Sequence, residues 1–315
     1  MARYEKQFVN PNFWQDPKNK DLIKDYRNIK NEIDEFDKIN DLLKKIDDAD
    51  EEALDLLEEK IHFLKLKTFF KGKYDDSNAF FSIYAGAGGK DAEDWAAILL
   101  RMYESYFKKK GFKSQILDKN YGEGGIKSVT LKVEDSFVFG WLKNEIGVHR
   151  LVRISPFSKD KLRHTSFALV DVVPEIKDQD FKINDDEIKI ETSCSSGPGG
   201  QYTNKRETRV KIIHLPTKIS VSCQQARTQG ENKKLALEML KSKLLLLNEE
   251  EKEKAISSEK SKVKIPTWSN QIRSYIFEPY KLVKDHRTGY ETNNLDEVLN
   301  GNLDEFIIKE IEMSK

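Results

Sequence analysis

The stretch Ser195-Ser196-Gly197-Pro198-Gly199-Gly200-Gln201-Tyr202-Thr203-Asn204-Lys205-Arg206 constrains the fold most, because so glycine-rich a segment reads as a loop between regular elements. It places three glycines and a proline in four positions, then a glutamine, then a mixed basic and polar run. Glycine lets a backbone come close to a ligand. Pro198 stiffens one hinge and lowers the entropy lost when the loop settles. Gln201 follows two glycines, so its backbone N–H is open to a substrate in the manner of an oxyanion donor. With no Ser-His-Asp, Cys-His or metal-ligand set beside it, water is the expected nucleophile. A glycine-rich surface turn ahead of a strand is the plain alternative, and for a Gly-Gly pair alone it is the better one.

Composition narrows the class of protein. A chain of 315 residues has room for about two to four domains. Its 54 basic and 54 acidic residues cancel, so bulk charge neither favours nor excludes a nucleic-acid partner. Their distribution is uneven. Residues 21–60 carry 7 Lys or Arg against 15 Asp or Glu, whereas residues 195–245 carry 10 against 3. One region repels phosphate and the other attracts it, which suits a protein that touches RNA with selected faces. Cys194 and Cys223 lack a paired spacing and read as reduced thiols, and the five scattered histidines form no zinc pattern. Neither a long apolar run nor a signal-like start is present, so a soluble, cytoplasmic protein is expected.

An apolar series at Leu22, Tyr26, Ile29, Ile33, Phe36, Ile39, Leu43 and Ile46 predicts a long amphipathic helix. A second is expected through Leu54, Leu57, Ile61, Leu64 and Phe70, giving a helical hairpin with acidic outer faces. Ala79–Tyr84 reads as a strand and about 92–110 as a helix stopped at Gly111, joined by Ala85-Gly86-Ala87-Gly88-Gly89-Lys90-Asp91. Those glycines lack the Gly-Lys-Ser/Thr ending of a phosphate loop, so they read as a tight strand-to-helix turn. Strands are expected at 114–117 and 126–133, and a hairpin at 208–215 and 219–223. A helix should run over 233–247, and another should close the chain over 295–311. His214 sits among apolar neighbours and reads as a structural histidine rather than a general base.

Gly147-Val148-His149-Arg150-Leu151-Val152-Arg153-Ile154-Ser155-Pro156-Phe157, with Arg163-His164-Thr165-Ser166-Phe167 downstream, offers cations for phosphates and flat rings for splayed-out bases. An ordinary charged hairpin turn is the competing reading. The longer strings shift the balance. Gly-Pro-Gly-Gly-Gln followed by Asn-Lys resembles the Gly-Gly-Gln loop of class I peptide chain release factors. The Arg-x-Ser-Pro-Phe and Arg-His-Thr-Ser-Phe strings resemble the bacterial branch that reads UGA and UAA. Departures are Pro198 where that family usually has alanine, Tyr202-Thr203 where it has His-Val, Thr267 where it has glycine, and an N-terminal helical segment shorter than is usual there.

The resemblance implies an α+β, multidomain chain. Its parts would be an N-terminal helical domain over 1–75, a decoding domain over 76–188, a catalytic domain over 189–260, and a switch linker with a C-terminal segment over 261–315. It implies that Gly199, Gly200 and Gln201 promote hydrolysis of the peptidyl-tRNA ester. Ser155, Pro156 and Phe157 would accept A or G as the second base, with Ser155 hydrogen-bonding it. His164 would stack between the second and third bases, Thr165 would bond the third, and backbone groups near Gly125 would meet the first. Trp268 would lie in a switch loop, against the simpler reading of core filling. Implied partners are the ribosome with its rRNA, the mRNA stop codon and peptidyl-tRNA, a glutamine methyltransferase making N5-methylglutamine at Gln201, and a GTPase recycling factor. The protein is expected to be a monomer without cofactor or metal, and a ribosome-dependent hydrolysis factor rather than a free-standing enzyme. The competing functions are a codon-independent hydrolase that rescues stalled ribosomes and a non-catalytic RNA-binding factor.

Overall fold

A computed structural model of the protein describes residues 68–70, 72–176, 183–194, 207–256 and 271–313, with single positions between 26 and 61. The chain divides into two units, Met1–Thr68 and Phe69–Lys315. In the first, Tyr26, Ile33, Leu43, Leu54 and Ile61 are among the described positions and are helical. The rest of the expected hairpin lies outside the described residues. Phe70, expected to end the second helix, instead follows a turn and packs its ring 5.8 Å from Phe137 and 5.4 Å from Trp141.

The second unit is organised by an apolar strand, β1 (Ala79–Ala85), whose first five residues are buried. Such a run is stable only when covered on both faces. The strands β2 (Lys113–Tyr121), β3 (Ile126–Glu134), β4 (Gly147–Ile154) and β5 (Arg163–Pro174) join it. Near the C-terminus follow β9 (Gln271–Ile276), β10 (Leu282–Asp285) and β11 (Glu291–Thr292), which complete an eight-stranded sheet of order β11-β10-β9-β4-β5-β1-β3-β2. Its strands pair antiparallel except β4 with β9, which run side by side in the same direction. Helix α1 (Lys90–Lys110) lays Trp95, Leu99, Met102, Tyr103, Tyr106 and Phe107 against this sheet and stops at Gly111, as its periodicity predicts. A short helix, α2 (Val138–Leu142), and a 3-10 turn (Lys143–Glu145) lead into β4.

What holds β9 beside β4 is a charged cluster with no exposure to water. Arg273 is wholly buried, and its guanidinium grips Glu145 with two bonds of 2.9 and 2.7 Å. It also reaches Asp285 at 3.2 Å and Glu310 at 2.9 Å. A buried cation is tolerable only when paired in this way, and the planar fork of arginine suits it. The same burial lowers the pKa of His149 to about 4, against the pull of Glu145, so its ring is neutral.

A second, three-stranded sheet consists of β6 (Ile188–Ser193), β7 (Arg209–His214) and β8 (Ser220–Cys223), with β7 in the middle. Helix α3 (Gln229–Ile256) covers it. Val210, Ile212, Val221, Ala236, Met239, Leu240 and Leu244 form its core, which also takes in Phe80, Leu117 and Val173 from the large sheet. Two elements differ from expectation. The helix α3 runs on through Glu249–Ile256, because lysine and glutamate are good helix formers and a charged run does not end a helix. The closing helix is split into α4 (Leu295–Leu299) and α5 (Asp304–Met313). Between them Gly301 takes φ 89°, and a side chain there would meet the Tyr106 backbone nitrogen at 2.6 Å.

Candidate functional site

Sheet topology gathers four connections at one end of the large sheet. Strands β4 and β9 finish there, β5 and β3 begin there, and β1 leaves there for α1. The connections are therefore residues 86–89, 122–125, 155–162 and 277–281. The β4–β5 loop is closed by the Ser155 amide, which donates to the Leu162 carbonyl at 3.0 Å.

Ser155 is 2% exposed. Its hydroxyl donates to Asp91 Oδ2 at 2.7 Å and accepts from the Phe157 amide at 3.1 Å, which fixes the bend of the Ser-Pro-Phe segment. His164 Nδ1 lies 2.9 Å from the same Asp91 oxygen, while its ring stays 44% exposed. Pro156, Phe157 and Thr165 are exposed. In register, His164 lies opposite Arg153 and Thr165 opposite Val152. Alternation along a strand then sends Thr165 to the face away from His164. Any ligand touching both must straddle the end of the sheet.

Asp91 is the residue that reading the sequence missed. It lies in the first turn of α1, 6% exposed, with Arg153 3.5 Å away and Arg153 also bonded to Asp94. Burial pushes its pKa up, but the bonds from His164 and Ser155 and the Arg153 charge outweigh it, and the carboxyl sits below its usual value. The turn that delivers it needs glycine. Gly88 takes φ 132°, and a Cβ there would press on Ser166 Oγ at 3.0 Å. Beside it, the amide of Gly124 donates to Glu93 Oε2 at 2.6 Å, which seats the 122–125 turn, Gly125 included, on the first turn of α1. The only advance signal was the Lys90-Asp91 pair ending the glycine run.

The second candidate site is carried by the small sheet. Ser193 of β6 pairs with Arg209 of β7, so residues 194–208 connect two neighbouring strands. Gly199, Gly200 and Gln201 fall in that connection and, like Trp268, lie outside the described residues. The stem is described. Asn232 is fully buried and takes the Ala226 amide at 2.7 Å, while its NH2 donates to the carbonyls of Thr208 at 2.8 Å and Ala226 at 3.0 Å. One side chain thus ties the residue before β7 to the start of α3. His214 stands at the opposite end of β7, with Nδ1 2.8 Å from Thr217 Oγ1, a placement that suits a structural histidine. Among the described residues no cluster of His, Cys, Asp or Glu suits a metal ion, and no helix is long and apolar enough to cross a membrane.

Comparison with known proteins covers both sites. The PCRF domain family matches residues 1–170 and the RF-1 domain family residues 175–287. The chain is 49% identical over 263 residues to peptide chain release factor 2 of Thermotoga petrophila, spanning 83% of this chain and 72% of that one. It is 44% identical over 327 residues to the factor of the same name from Thermosipho africanus, spanning 99% and 89%. Among solved structures, RF2 of Thermus thermophilus superimposes with a TM-score of 0.73 at 34% identity, covering 99% of this chain and 94% of that one.

Proposed function

The chain belongs to the peptide chain release factor 2 family, and we propose from its geometry how it ends translation on the ribosome. It recognises a stop codon and promotes hydrolysis of peptidyl-tRNA. The codon is UGA or UAA, read at the end of the large sheet by Ser155, Pro156, Phe157, His164 and Thr165. The observation that carries this reading is the single Asp91 oxygen that holds both the Ser155 hydroxyl and the His164 ring. A serine hydroxyl can turn to donate or accept, so it tolerates A and G at the second position. The half-exposed His164 ring is a stacking surface, and Thr165 on the opposite face takes the third base apart from the second.

The ester is cut by the β6–β7 loop. Gly199 and Gly200 let the backbone approach, the Gln201 N–H steadies the developing charge, and its side chain selects water. Codon binding reaches this loop through the Trp268 linker. The working divisions are 1–75, 76–188, 189–260 and 261–315. A cytoplasmic monomer, N5-methylation of Gln201 by a glutamine methyltransferase and release by a GTPase recycling factor complete the proposal.

Release of a labelled peptide from ribosomes programmed with UGA, UAA, UAG or a sense codon tests it. Release on the first two alone is expected. Release on every codon indicates a rescue hydrolase, and release on none a binding factor; either result overturns the reading.

A further inference from the structure

Of the four connections at the codon-reading end, three meet Asp91 or the first turn of its helix, and the fourth, residues 277–281 between β9 and β10, has no part in the reading above. Its position follows from register. Ile276 of β9 lies beside Val152 of β4, which lies opposite Thr165 of β5. Two strand spacings put this loop roughly 10 Å from Thr165. It sits on the outer flank of the codon-reading loop, too far to share the third base and close enough to meet what encloses the codon.

The loop is pinned at both ends. The Phe277 amide donates to the Val152 carbonyl at 2.9 Å, and the Phe277 ring lines a groove with Ile98 of α1 and Leu299 of α4. Lys281 pairs with Asp296. Between these anchors Tyr280 is 59% exposed, more than Phe157 at 47% or Ile154 at 41% on the neighbouring loop. Lys159, Lys161 and Arg163, all exposed, border the same end of the sheet. A flat ring held out from an anchored loop, at the same end of the sheet as these cations, has the makings of a base-stacking platform, because little freedom remains to be lost on binding.

We propose that Tyr280 stacks on an unpaired base of the ribosomal RNA that walls the codon site, making the 277–281 loop a second, codon-independent RNA contact. This rests on the termination reading above. Stacking of one base is commonly worth about fivefold or more in affinity, so Tyr280→Ala should raise the factor concentration for half-maximal release about tenfold. The rate at saturation should stay at the wild-type level, since the ester-cutting loop is untouched. Tyr280→Phe, which keeps the ring, should behave as wild type.

The test uses the full chain on programmed ribosomes, with a photo-crosslinking phenylalanine analogue at position 280 as a second readout. The expected result is an equal effect on UGA and UAA, whichever nucleotide follows the stop codon, and a crosslink to small-subunit RNA. An unchanged half-maximal concentration for Tyr280→Ala overturns the proposal, and so does a crosslink confined to protein. An effect that varies with the nucleotide after the stop codon, or a crosslink to the message, assigns the stacking to mRNA and overturns the ribosomal source. Failure of the wild-type factor to release at any stop codon instead defeats the termination reading, independently of Tyr280.

Discussion

Substituting Asp91 with asparagine separates a codon-reading assembly from an ordinary hairpin turn. One Asp91 oxygen takes the Ser155 hydroxyl at 2.7 Å and the His164 ring at 2.9 Å, and Arg153 lies 3.5 Å away. Asparagine can keep its one carbonyl oxygen on both bonds, but it turns an NH2 toward Arg153 and removes the charge. What is lost is the charge assistance of those two bonds and the pairing with Arg153, about 1.5–3 kcal/mol together. That corresponds to roughly a tenfold to 150-fold rise in the factor concentration for half-maximal release on UGA ribosomes. Because the β6–β7 loop is not touched, the rate at saturating factor should be close to wild type. Peptide release titrated against factor concentration on UGA and UAA measures both quantities, and a thermal melt checks that the variant is folded. A folded variant whose half-maximal concentration moves less than about twofold would refute the inference that Asp91 organises the reading side chains.

Two further outcomes follow from the same reasoning. Asn232→Ala removes the fully buried amide that bonds the half-buried Thr208 carbonyl and Ala226 amide, so urea unfolding should show a loss of about 1–3 kcal/mol. His149 has its pKa lowered by burial to about 4, below the ordinary 6.5, so the unfolded chain takes up a proton first. Its contribution is intact above about pH 6.5 and drains away as the pH falls toward 4. His149→Gln cannot take that proton and should flatten the melting-temperature profile across this window.

Local elements were legible where one signal dominated. The 4-3-4 spacing of Trp95, Leu99, Met102, Tyr106 and the stop at Gly111 gave away α1, and alternation marked β3, β7 and β8. Long-range placement was not. Asp91 and Ser155 are 64 residues apart, and only the antiparallel pairing of β1 with β5 returns the start of α1 to the tip of the β4–β5 hairpin. Nothing local announces that Arg273 is wholly buried, since three carboxylates from distant segments supply its partners. The parallel pairing of β4 with β9, which brings residues 277–281 beside the β4–β5 loop, is equally invisible in a pattern of two-residue alternation. The break between α4 and α5 depends on the close approach of α1 to Gly301, a tertiary event that the helical periodicity of 295–311 conceals.

Gly200→Ala divides codon reading from ester cutting most directly. Competition with labelled wild-type factor for UGA ribosomes measures binding, and single-turnover peptide release measures the chemistry. Wild-type affinity with release slowed about 10²–10³-fold is expected, the usual cost of losing one oxyanion donor. Release at the wild-type rate, or loss of binding in step with loss of release, would contradict the assignment of reading and cutting to separate ends of the molecule.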